Sequence, residues 1–158
     1  MAEEVNPTAE EEECPECVID TEALKRRRAE QEANGSAGSN GDAVLILLTR
    51  GTYGHHDDAF SAVQVGNAVL AVEQSATMLL LDDGVYFGVK GQDPIDLGLP
   101  NNIHYIQDFL DLGGRMLALR SSLEKRGLTQ EDLLDGVEVI EPAQMVREVE
   151  QHKASVTF

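Results

Sequence analysis

Between residues 42 and 158 the chain alternates short, continuous apolar runs with longer stretches of helical pattern. This alternation limits the folds open to it more than any other feature. The run AVLILL (residues 43–48) has no polar residue at any second position. A strand with one wet face would alternate, so a run like this reads as a strand covered on both faces. TMLLL (77–81) reads the same way. RMLAL (115–119), VEVI (137–140) and SVTF (155–158) supply three further, weaker strand candidates.

Helical patterns separate them. Residues 57–73 place Phe60, Val63, Ala68, Leu70 and Ala71 on one side, with acids at the positive end of the helix dipole. Residues 103–112 form a second helix stopped by Gly113-Gly114. A short turn or helix is expected over 85–90 and another helix over 121–126, ending at Gly127. Thr129 and Asp132 have capping-box spacing, and Pro142 opens a helix running to about His152. Strands alternating with helices specify an α/β fold, a three-layer α/β/α arrangement around a mostly parallel sheet of about five strands. In such a sheet the functional crevice lies beyond the carboxyl ends of the strands. Residues 49–56, 82–92 and 120–122 are therefore expected to meet there.

Residues 1–41 have a different character. They hold 11 acidic and 4 basic residues, including the self-repelling run Glu10–Glu13, and close with the Gly/Ser/Asn linker NGSAGSNG. Residues 1–41 are read as a flexible acidic tail, with helix formers over 20–33, and 42–158 as the folded domain. The whole chain carries 12 Lys and Arg against 29 Asp and Glu, a formal charge of −17. Such a field repels nucleic acid and anionic membrane surfaces, so neither is an expected partner. No segment approaches the roughly 18–20 apolar residues that span a bilayer. The N-terminus lacks the basic start and apolar stretch of a signal peptide, so a cytoplasmic location is expected.

The only two cysteines, Cys14 and Cys17, lie in the tail as a CxxC pair. Three readings stand side by side: a redox or persulfide-bearing pair, half of a zinc site completed by a second copy, and an inert dithiol in a reducing compartment. The acidic neighbours Glu10–Glu13 and Glu16 oppose thiolate formation. His55, His56, Asp57 and Asp58 contain metal-ligand types. Adjacent histidines on a turn diverge, however, and the two aspartates sit where a helix start accepts them. Gly51 and Gly54 before that helix lack the spacing of a dinucleotide or P-loop motif. Asp82 and Asp83 are sequential and face apart, so they form no catalytic dyad alone. Ser121 and Ser122 lack a nucleophile elbow. His104 and His152 are read as isolated surface or boundary residues.

Three segments in order, LLTRGTYGHHDDAFSAVQVGNAV, LLLDDGVYFGVKGQ and RMLALRSSLEKRGL, followed by VEVIE and SVTF, resemble the DsrE/DsrF-like sulfur-relay family over residues 42–158. The resemblance implies persulfide transfer between cysteines in trimers or hexamers of related subunits. It also implies a sulfur-carrying cysteine in the segment matched here by ALRSSLEKRG, at Leu119 or Ser122. Neither residue can carry a persulfide. The expected role is therefore an accessory, non-catalytic subunit of an intracellular relay that works as a homo- or hetero-oligomer, with a sulfur-carrier protein among its partners. Two alternatives are an active carrier using Cys14 and Cys17, and a zinc-linked oligomer. The expected binding crevice comprises Gly51, Tyr53, Gly54, Asp82, Asp83, Tyr86, Arg120 and Ser122.

Overall fold

The computed structural model describes residue 26, residues 43–53, residues 57–99 and residues 101–158. The cysteines, the linker and the segment 54–56 lie outside the described residues. Apart from Arg26, the tail reading therefore has no structural counterpart here.

Five strands, β1 (Ala43–Leu48), β2 (Ser75–Leu80), β3 (Arg115–Leu119), β4 (Val137–Ile140) and β5 (Ala154–Thr157), form one sheet in the order β4-β3-β2-β1-β5. Every pairing is parallel. Helix α1 (Asp58–Ala71) joins β1 to β2, and α2 (Asn102–Asp111) precedes β3. The five-residue α3 (Arg120–Glu124) follows β3 directly, and α4 (Pro142–Gln151) carries the chain back to β5. The expected α/β architecture is what forms, with β2 starting two residues earlier than its apolar run suggests.

Strand alternation sorts the core into two faces. Ile46, Leu48, Met78, Leu80, Met116 and Ala118 pack with Ala59, Ala62, Val63 and Leu70 of α1 and Ile106 and Phe109 of α2. Leu45, Leu79, Leu117 and Ile140 form the opposite face, against Met145 of α4. The wholly apolar run of β1 is thus explained: both faces are covered.

The helix stops follow backbone chemistry. Gly113 has φ +83, its N–H reaches the Leu110 carbonyl, and the Gly114 N–H reaches that of Phe109 at 2.8 Å. These two bonds make a Schellman stop, satisfying carbonyls that α2 leaves open. Asn101 Oδ1 accepts from the Ile103 N–H at 3.0 Å at the other end. Thr129 donates both its N–H and its hydroxyl to Asp132 Oδ2, at 2.7 and 2.8 Å, so the capping-box spacing forms its box over a short 3-10 turn. His152 departs from its expected isolation. Its Nε2 lies 3.0 Å from the hydroxyl of the buried Thr77 and its Nδ1 2.5 Å from the Glu148 carbonyl, so it ties the end of α4 to β2.

Candidate functional site

All five strands run the same way, so their carboxyl ends share one edge, and the segments leaving β1, β2 and β3 converge there. The segment after β2 is a 3-10 helix, Asp82–Gly88, entered through Asp82 at φ +45. It lies directly on the end of β1. The Leu81 N–H reaches the Leu48 carbonyl at 2.9 Å, and a Cβ on Gly84 would sit 2.1 Å from that same oxygen. Only glycine permits this approach, which sets the height of Tyr86 above the sheet edge.

Ser122 secures the segment from the other side. It is buried, and its Oγ accepts the Asp82 backbone N–H at 3.0 Å. That bond satisfies a main-chain donor at a backbone conformation that non-glycine residues rarely adopt. Arg126, one turn further along, donates to the Ser122 carbonyl at 3.0 Å and pairs with Asp83 at 2.6 Å. Arg120 turns away toward Glu141 at the end of β4.

The eight crevice candidates therefore divide. Gly51, Tyr53 and Tyr86 line a groove of about 310 Å3 together with Thr52, Val89 and Gln92. Asp82 and Ser122 bond to each other, Asp83 is held by Arg126, and Arg120 by Glu141. Gly54 lies outside the described residues. The sequence does not single out Thr52, Val89 and Gln92 as site residues, although all three lie in the segments 49–56 and 82–92 expected to meet at this edge. Gln92 buttresses the groove by donating to the Tyr86 and Val89 carbonyls at 2.8 and 2.6 Å. Asp58 starts α1 as expected for an acid, with its carboxylate 2.9 Å from Arg50, while Asp57 precedes it without a side-chain capping bond. Leu119 ends β3, partly exposed, beside the start of α3.

The sequence profile of the DsrE/DsrF-like family matches residues 42–158, the described sheet and everything that packs on it. The chain belongs to the DsrE/DsrF-like family. Relatives within reach of this sequence include the intracellular sulfur oxidation protein DsrF of Allochromatium vinosum, 38% identical over 81 residues, which cover 49% of this chain and 57% of DsrF. An uncharacterized protein of Methanopyrus kandleri is 26% identical over 117 residues, covering 74% of this chain and 94% of its own length. Among solved structures, the YchN protein of E. coli superposes with a TM-score of 0.65 over 75% of this chain and 99% of YchN. At 19% identity that likeness speaks to the fold alone. Membership links this DsrE/DsrF-like chain to a sulfur-relay group. Among the described residues no helix is long and apolar enough to cross a membrane.

Proposed function

We propose that the chain is an accessory subunit of an intracellular sulfur relay, one that shapes and binds without carrying sulfur on its folded body. The observation that carries this reading is Ser122. The family's sulfur-bearing cysteine corresponds to Leu119 or Ser122, and Ser122 is buried with its oxygen accepting the Asp82 N–H. A hydroxyl so employed is a structural group, and a serine oxygen does not form a persulfide. The β3–α3 corner carries no thiol.

The crevice residues Gly51, Tyr53, Asp82, Asp83, Tyr86, Arg120 and Ser122 mark the side of the sheet on which a partner docks. Support comes from the apolar side chains left in water beyond the groove. Ile95 and Leu97 are 71% and 75% exposed in the loop that follows Gln92, and Tyr86 is also exposed. Exposed large apolar groups concentrated on one loop suit a protein contact. The partner is a related subunit that does bear a thiol, in keeping with the family's general habit of forming oligomers.

Mixing the purified chain with a thiol-bearing DsrE-like subunit tests this. A stable complex by sedimentation, together with faster labelled-sulfur transfer through that subunit, is the expected result. If Cys14→Ser and Cys17→Ser together abolish the acceleration while the complex persists, the tail cysteines are the carriers and the accessory reading fails.

A further inference from the structure

We propose that β5 is the seam of a symmetric dimer, its outer edge pairing antiparallel with the same edge of a second copy of this chain. β5 stands at one end of the sheet and pairs with β1 along one side only. The Phe158 N–H reaches the Leu47 carbonyl at 2.8 Å, and the Phe158 carbonyl accepts the Thr49 N–H at 2.9 Å. Main-chain groups alternate sides along a strand, so Ala154, Val156 and Phe158 address β1 while Ser155 and Thr157 turn their N–H and C=O groups outward. Ser155 and Thr157 are exposed, and among the described residues nothing bonds to those outward groups.

The opposite end of the sheet is closed against pairing. On β4 the Val137 carbonyl accepts from Gln130 Nε2 at 2.8 Å, the Val137 N–H donates to the Leu134 carbonyl at 3.2 Å, and Glu138 sets an exposed charge on the strand. Engaged main-chain groups and charged side chains are how a sheet edge avoids a second chain. β5, with the sequence ASVT, has no charge and no proline, and no described residue covers it.

The strand's own sequence selects the occupant. A twofold axis through Val156 sets Ser155 of each copy opposite Thr157 of the other. Every outward N–H then meets an outward C=O, with two hydrogen bonds in each of the two Ser155–Thr157 pairs. On one face of the joined sheet the Ser155 and Thr157 hydroxyls lie side by side, a cross-strand pairing that favours hydrogen bonding. On the other face Val156 meets Val156, and the small Ala154 meets the large Phe158. Val156 and Phe158 pack only partly against the core of one copy, so the second copy extends that core. Lys153, the charged residue beside the strand, falls at opposite ends of the ribbon, about 20 Å from its counterpart at about 3.4 Å per residue. A strand that satisfies both its edge and its two faces in this way is complementary to itself, as a twofold interface requires. The inference uses no groove residue and does not rest on the sulfur-relay reading, so either can fail without the other.

Sedimentation equilibrium of the full chain and three variants tests it. The parent is expected at the mass of two chains or a multiple of two. Ser155→Lys with Thr157→Lys places like charges opposite each other in both pairs and should weaken association about tenfold or more. Ser155→Lys with Thr157→Glu places opposite charges face to face in this register, whereas a parallel pairing in register would set like against like. It should restore association to within about threefold of the parent. Thr157→Pro removes an outward N–H while leaving the bonds to β1, and should weaken association about tenfold or more. All three should keep the parent's circular dichroism spectrum, because both positions are exposed and neither bonds to β1. A parent with the mass of one chain would overturn the proposal and leave the edge to a different partner or to the chain's own tail. A like-charged variant or a Thr157→Pro chain that associates as the parent does would overturn it as well. So would an oppositely charged variant that stays as weak as the like-charged one.

Discussion

Gly84 is the residue whose replacement should show most clearly that the site depends on close backbone packing. A Cβ there would lie 2.1 Å from the Leu48 oxygen and 2.7 Å from its carbonyl carbon. Those atoms belong to the end of a central strand, and the oxygen accepts the Leu81 N–H at 2.9 Å. The carbonyl cannot swing aside without losing that bond, and the 3-10 segment cannot lift without losing the bond from the Asp82 N–H to Ser122. Overpacking in a rigid interior costs about 1–3 kcal/mol, and the lost hydrogen bond adds about 1 kcal/mol. Gly84→Ala should therefore cost about 2–4 kcal/mol. For a domain of this size that lowers the melting temperature by about 7–15 °C. Gly51→Ala is the matched control, since nothing lies within 4 Å of its added methyl. It should melt within about 2 °C of the parent, its unfolded chain being slightly less free. Thermal unfolding of the three proteins followed by circular dichroism decides the matter. A Gly84→Ala protein that melts like Gly51→Ala would refute the packing argument and with it the fixed height of Tyr86.

Three further outcomes are expected. Ser122→Ala leaves the Asp82 N–H without its acceptor and should cost about 1–2 kcal/mol in urea unfolding, whereas an unchanged midpoint would remove Ser122 from its structural role. Ile95→Ser with Leu97→Ser should leave the melting temperature within about 2 °C, because both side chains are already in water, yet weaken the subunit complex at least tenfold by sedimentation. The Thr129 N–H and hydroxyl hold the Asp132 carboxyl below its ordinary value of 3.8. A carboxyl lowered by folding stabilises above its unfolded value and loses that contribution as pH falls through the lowered one. Asp132→Asn should therefore destabilise near neutrality, with the deficit shrinking below about pH 4 in melting curves taken across pH. A deficit constant with pH would show that the charge is not involved.

Continuous apolar runs made the strand positions legible, because a strand buried on both faces has no other pattern; β1 and the parallel sheet were read from AVLILL and its successors. The helix ends were equally plain where Gly113, Gly127 and Pro142 supplied the backbone signal. The buried stripe of α1 was less visible. Apolar spacing pointed to Phe60, Val63, Ala68, Leu70 and Ala71; Val63 and Leu70 are buried, but the rest of the buried set is Ala59, Ala62, Gly66 and Asn67. Small residues make that stripe because Phe109 lies so close that a Cβ on Gly66 would sit 2.7 Å from its ring. Packing of that kind depends on a residue 43 positions away and leaves no local trace. The same holds for His152, whose partner Thr77 is 75 residues distant in sequence. At the site, the convergence of the strand ends followed from topology, but the assignment of side chains did not. Asp83 and Arg120 read as crevice residues and turn out to be held by Arg126 and Glu141, while Thr52 and Gln92, placed at this edge only as members of the segments 49–56 and 82–92, line the groove.

Sulfur loading tests the central claim most directly. The chain is incubated with a cysteine desulfurase and labelled cysteine, then with a thiol-bearing acceptor subunit, and its intact mass is followed through both steps. An accessory body predicts that the chain stays at its unmodified mass throughout while the acceptor gains label. A sulfur-atom increment that maps to Cys14 or Cys17 and then passes to the acceptor would contradict it, and would make this chain a carrier.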